Sequence, residues 1–168
     1  MNFNFHQNIG IYGFGVEGKS LYTWLKKHGA KNVFIFGDTK KTEEGAHGQP
    51  NFCFDTPSIA EETISEQDVF SLPLEQLNQL DIIFRSPGVH PAKILKHIGA
   101  ENSEKISSAT QLFFDLCPTQ EIVGVTGTKG KGTTSSLITT ILKAECLENS
   151  EKQVFLGGNI GTPVFDFF

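Results

Sequence analysis

The chain has 168 residues, 38% of them hydrophobic and 20% charged, a composition that suits one soluble domain or two small ones with a real core. Its 14 Lys and Arg against 19 Asp and Glu leave a net charge of −5, which argues against a globally basic surface for nucleic acid. Cys53, Cys117 and Cys146 form no CxxC and no Cys/His cluster, so neither a disulfide scaffold nor a structural zinc site is supported.

The opening MNFNFHQNIGIYGFG has no basic stretch leading into a long apolar one, so no signal peptide is expected. No window approaches the roughly 18 apolar residues of a membrane span, and a cytoplasmic location is the default expectation. Residues 8–14, NIGIYGF, read as a buried strand bounded by glycines. Residues 17–28 follow with Leu21, Trp24, Leu25 and His28 at helical spacing, and Gly29 supplies a stop. NVFIF at 32–36 is a second strand, and the βαβ order makes the two strands parallel. The polar run TKKTEEGAHGQP reads as a surface loop. Residues 51–79 hold a short strand near 68–70 and a short helix before Leu80. DIIF at 81–84 is a buried strand, broken by Arg85-Ser86-Pro87-Gly88. A helix spans 91–98 with proline in its first turn, and Ile106 sits in the last strand of this half.

Residues 107–116 form a short helix with Leu112, Phe113 and Leu116 on one face, and Cys117-Pro118 ends it. The domain boundary is placed there, dividing 1–117 from 118–168. A new cycle then begins: a strand at 121–125, a glycine turn, and a helix at 133–145 with Leu137, Ile138, Ile141 and Leu142 inward. A strand at 153–156 and a glycine loop at 157–161 follow, and Thr162-Pro163 opens a further helix. A parallel sheet needs covering on both faces, so this second half reads as cut short, with VFDFF as an exposed apolar tail.

Two loops carry chemistry. The first, Gly13-Phe14-Gly15-Val16-Glu17-Gly18, is a full GxGxxG between strand and helix. Glycine is needed there because a side chain would block the turn or hold backbone amides away from a pyrophosphate, and the helix N-terminus adds open donors. Asp38 follows about twenty residues on, where the ribose-binding version needs an acid. The pattern specifies a dinucleotide or a nucleotide diphosphate without choosing, and a glycine turn with no ligand is the plain alternative. Glu17 opposes a phosphate unless it points to solvent. The second loop, Thr126-Gly127-Thr128-Lys129-Gly130-Lys131-Gly132-Thr133-Thr134, offers glycine amides, a lysine charge, and a Thr133 or Thr134 hydroxyl for Mg²⁺. It departs from strict GxxxxGK[ST] at Val125 and Gly132.

GFGVEG with Asp38-Thr39, Ser86-Pro87-Gly88, VTGTKGKGTT and GGNIG occur in an order that resembles the Mur ligases, most of all their D-glutamate-adding branch, over essentially the whole chain. The resemblance implies an α/β fold, a Rossmann-like parallel-sheet N-terminal domain followed by the truncated start of a P-loop-type ATPase domain. It implies ATP and Mg²⁺ as cofactors, with UDP-N-acetylmuramoyl-L-alanine and D-glutamate joined through an acyl phosphate in peptidoglycan synthesis by an enzyme that is monomeric when full length. By position, Gly15, Val16 and Glu17 would offer amides to the UDP diphosphate, and Asp38 and Thr39 would hold the uridine. Ser86 and Gly88 would line the same site, with Asn159 touching substrate from the ATPase side. Gly127, Thr128, Lys129, Gly130, Lys131, Gly132, Thr133 and Thr134 would hold ATP, with Lys131 catalytic and Thr133 or Thr134 on the metal.

The glycine after Lys131 is instead as in folylpolyglutamate synthases, which share the ATPase domain, although about 120 residues precede the loop here. Ala109-Thr110-Gln111-Leu112-Phe113 lacks the family's acidic residue. The later family domain and its metal-side residues are not in these 168 residues, so binding without turnover is expected. A non-catalytic nucleotide-binding module and an NAD-dependent oxidoreductase built on the first loop are the rival readings. The five histidines, His6, His28, His47, His90 and His97, show no ligand spacing and read as surface or packing residues; the fifteen Phe read as core.

Overall fold

A computed structural model describes residues 3–36, 74–146, 152–158 and 162–168. The expectations for Asp38, Thr39, Cys53, the strand near 68–70 and Asn159 lie outside the described residues.

Four strands form one sheet: β1 (Ile9–Tyr12), β2 (Val33–Phe36), β3 (Ile82–Arg85) and β4 (Ile106–Ser107). Their order is β2-β1-β3-β4 and every pairing is parallel. Tyr12 at the end of β1 is level with Phe36 on one side and Arg85 on the other. All four residues of β1 are buried, because a parallel strand in mid-sheet is covered on both faces, and this explains its unbroken apolar run.

The two faces are packed by different elements. α1 (Val16–Lys27) and α3 (Ala109–Leu116) bring Leu21, Trp24, Leu25 and Leu112 onto Ile9, Ile11, Ile82 and Phe84. On the other face, α2 (Pro91–Ile98) and a 3-10 turn at Leu74–Gln79 bring Ile94, Ile98 and Leu77 onto Tyr12, Phe36 and Ile83. The helix ends are satisfied locally. The His90 imidazole accepts the Ala92 amide at 3.2 Å, and the Ser108 hydroxyl accepts the Gln111 amide at 3.1 Å, supplying two of the orphan-donor partners that helix N-termini require. On α3, Leu112 is fully buried, while Leu116 in the last turn is exposed.

The second half departs further. α4 (Lys131–Cys146) forms where a helix is expected, but it buries no residue, and Leu137 and Ile141 are each 60% exposed. Residues 121–125 are not a strand: the Ile122 amide bonds to the nearby Gln120 carbonyl at 2.9 Å, and Val123 is 63% exposed. Residues 153–156 are not a strand either, and only an isolated bridge joins Gly157 to Thr162. A strand is made by its neighbours' donors and acceptors; β1 has two such neighbours, and these two stretches have none among the described residues.

The tail is the opposite correction, because it is not exposed. In place of a helix opening at Thr162-Pro163, a single 3-10 turn, Val164–Phe167, lies against α1 and α3. Phe165 is 3% exposed, with its ring 4.9 Å from that of Trp24. Phe168 meets Trp24 and Phe113, and the Ser20 hydroxyl donates to the Asp166 carboxylate. Burying one such aromatic side chain is favourable by about 1.5–3 kcal/mol, which is why an apolar segment settles on the nearest apolar face. No helix among the described residues is long and apolar enough to cross a membrane.

Candidate functional site

β2 lies to one side of β1 and β3 to the other, so the connections leaving β1 and β3 diverge. In open parallel sheets the crevice outside the carboxyl ends at such a point is where ligands bind. A crevice stands there, lined by Ile11, Glu17, Gly18, Leu21, Phe84, Arg85, Ser86 and Ala109.

Glu17 and Gly18 of the GxGxxG loop form part of its wall. Gly13 has φ +96, a conformation that favours glycine, and a Cβ there would lie 2.6 Å from Ser86 Oγ. Its amide donates to the Phe36 carbonyl at 2.7 Å, and its carbonyl accepts from the Ser86 hydroxyl at 2.8 Å. At Gly18 a Cβ would sit 2.5 Å from the Gly13 carbonyl oxygen, so α1 rests against the turn only because no side chain intervenes. Gly15 is different: nothing lies within 4 Å of its absent Cβ. Gly15 caps α1 without a side-chain bond, and the amides of Gly15, Val16 and Glu17 meet no acceptor among the described residues. Open amides at the positive end of a helix dipole are suited to an anion.

Ser86 and Gly88 belong to the turn that closes the same crevice from β3. The Ser86 amide donates to Tyr12, and the Val89 amide donates back to Ser86, each at 2.9 Å. The Ser86 hydroxyl is therefore committed to holding Gly13, while Gly88 is exposed with open space around it.

The second loop is exposed from Thr126 to Gly130. Gly127 and Gly130 take positive φ. Lys131 is the first residue of α4, and its Nζ donates to the Gly127 carbonyl at 2.5 Å. The Thr134 amide reaches Gly130 at 2.9 Å, leaving the amides of Lys131, Gly132 and Thr133 without an acceptor among the described residues. A lysine at a helix N-terminus opposes the dipole, and a phosphate there relieves both charges. The exposed Thr133 and Thr134 hydroxyls carry no hydrogen bond among the described residues and are hard oxygen ligands of the kind Mg²⁺ takes. These groups fit a nucleotide phosphate with its metal. No three His, Cys, Asp or Glu among the described residues gather into a metal site.

Of the expected substrate-site residues, Glu17 and Ser86 line this crevice, Gly15, Val16 and Gly88 lie beside them in the turns after β1 and β3, and the residues from Gly127 to Thr134 lead into the start of α4. Arg85, at the end of β3 directly before Ser-Pro-Gly, donates to the Val89 carbonyl at 3.2 Å and braces this turn.

No family model matches the chain. A UDP-N-acetylmuramoylalanine--D-glutamate ligase of Thermotoga petrophila is 30% identical over 158 residues, covering 94% of this chain and 33% of the relative. Ligases of the same name from Wolbachia pipientis wMel and Clostridium kluyveri are 33% and 32% identical, covering 96% and 95% of the chain. The resemblance to the Mur ligases stands. The chain spans about a third of the length of the curated relatives it matches, 28% and 31% of the latter two, consistent with an N-terminal portion of such a Mur ligase.

Proposed function

We propose that residues 1–117 bind the UDP end of UDP-N-acetylmuramoyl-L-alanine, and that residues 118–168 begin the ATP-binding unit of a Mur-type ligase that joins this substrate to D-glutamate in cytoplasmic peptidoglycan synthesis. The observation that carries the reading is the row of open amides at Gly15, Val16 and Glu17 at the start of α1, next to the crevice that Glu17 lines, in a chain 30% identical to a ligase named for this substrate.

In this reading the three amides and the α1 dipole orient the diphosphate, Asp38 and Thr39 hold the uridine, and Ser86 keeps the turn in shape while Gly88 leaves room beside it. Asn159 touches the substrate from the ATPase side. Gly127, Thr128, Lys129, Gly130, Lys131 and Gly132 receive the phosphates of ATP, Lys131 turning from the Gly127 carbonyl to the anion, and Thr133 or Thr134 takes Mg²⁺. ATP, when bound, supplies the phosphoryl group that activates a carboxylate as an acyl phosphate. The 168 residues by themselves bind and do not turn over, and the longer enzyme works as a monomer.

Thermal-shift titration tests the reading. UDP-N-acetylmuramoyl-L-alanine at a hundred times its Kd should stabilise the chain by about 2.7 kcal/mol, with NADH inert; the reverse pattern would replace the ligase with an oxidoreductase. Lys131→Ala should weaken ATP binding by about one to two decades, and unchanged affinity would remove Lys131 from the site. Phosphate release that depends on D-glutamate, from the purified chain, would refute the claim that it does not turn over.

A further inference from the structure

The carboxyl-terminal turn is well seated on the first half, but the stretch that joins it to that half is not. Its side chains divide by direction. Phe165 and Phe168 meet the groove between α1 and α3, their rings 4.9 and 6.1 Å from that of Trp24, with Phe168 also 5.5 Å from Phe113. The Ser20 hydroxyl donates to Asp166 between them. Phe167 turns back onto Phe155 of its own segment, at 5.1 Å. Among the described residues of 117–163, none belongs to either hydrophobic core cluster. α4 runs through this stretch with Leu137 and Ile141 one helical turn apart, each 60% exposed, and Leu142 is 39% exposed beside them. The seat also carries a cost, because the buried Trp24 indole N–H has no acceptor among the described residues. The tail is therefore held by aromatic contacts and remains able to open.

A groove that fits this segment is indifferent to which copy of the chain supplies it. Within one chain, a flexible connector holds the tail near its groove at an effective concentration of about millimolar or below. Between two chains the same contacts form, and reciprocal exchange makes the two connectors cross near the two-fold axis. The apolar stripes of α4 then come within reach of each other, a burial that the closed monomer does not make. We propose that two copies of the chain exchange residues 164–168, each tail seated in the other's α1/α3 groove, with the stripes of Leu137, Ile141 and Leu142 paired at the axis. The partner is a second copy because the segment seen to fit the groove is the chain's own. The pairing is one of the 168-residue chain and is independent of the sugar-nucleotide reading.

Sedimentation of the whole chain from about 10 µM to about 1 mM tests it. Monomer should give way to dimer across that range, and a chain that stays monomeric throughout overturns the exchange. A disulfide trap then reports which copy fills the groove. Ser20→Cys and Asp166→Cys are combined in a chain whose Cys53, Cys117 and Cys146 are changed to Ser, and the protein is oxidised at the concentration where dimer prevails. Bonds between chains are expected on a non-reducing gel; bonds confined within each chain, or none while dimer is present, overturn it. Leu137→Glu, at an exposed position, should weaken the dimer by about tenfold or more, and an unchanged dimer overturns the pairing. If the trapped variant does not fold by circular dichroism, Phe165→Ala decides: a dimer weakened by about tenfold or more supports the exchange, and one as strong as the wild type's overturns it.

Discussion

The chain holds two glycine turns in the same local setting, each leading into a helix, yet only the first is tied into a core. Gly13 is fastened to β2 through Phe36 and to β3 through Ser86, 73 residues away. The second loop is held by itself, through Lys131 to Gly127 and Thr134 to Gly130, each a span of four residues. Local sequence is enough to make a helix and expose its first amides. Neighbouring strands are needed to fix where those amides point.

Substitutions at matched positions probe this contrast. Leu25→Ala in α1, where the side chain is fully buried, should cost about 3–4 kcal/mol in urea unfolding, whereas Leu137→Ala in α4 should stay within about 0.5 kcal/mol. Equal costs would mean that the second half is as well packed as the first. Phe165→Ala comes next, at about 2–3 kcal/mol, because this residue joins the end of the chain to the α1 face; it should also change the emission of Trp24, the chain's single tryptophan. A tail that contributes nothing would leave both readings unchanged. Gly18→Ala should cost about 1–3 kcal/mol through its clash with the Gly13 carbonyl, while Gly15→Ala, with open space around it, should leave the melting temperature nearly unchanged and weaken UDP binding. The smallest effect belongs to the exposed Lys152–Glu121 pair, 2.9 Å apart. Lys152→Ala should not move the melting temperature at neutral pH. The hydrogen bond that Lys152 donates to the Glu121 carboxylate, and then the charge of that carboxylate, raise the Lys152 pKa above 10.5. Any stabilisation is therefore complete below 10.5 and is lost as pH rises through the raised value.

The sheet half was legible because its apolar runs and punctuation agree. NIGIYGF and DIIF are short, continuous and glycine- or proline-bounded, and Ser108 and Pro91 mark helix starts where they are found. Residues 121–125 and 153–156 look just as strand-like in composition, but composition cannot supply a neighbouring strand. The apolar spacing of Leu137, Ile138, Ile141 and Leu142 foretold the helix and not its burial, since amphipathicity describes a face and not what covers it. The tail was misjudged for the same reason in reverse: a run of phenylalanines does not announce that Trp24 and Phe113 offer them a surface. In the crevice the glycines were visible by spacing. The bond from Ser86 to Gly13 was not, because it exists only through the strand order that sets β3 beside β1.

The bond from the Ser86 hydroxyl to the Gly13 carbonyl, together with the amide bond to Phe36, has a kinetic consequence. A cradle fastened from both sides before any ligand arrives has no reshaping step to complete, so capture should run at the pace of diffusive encounter. Differences among ligands should then show in how long each stays, and loosening the fastening, as in Ser86→Ala, should slow arrival as well as hasten departure.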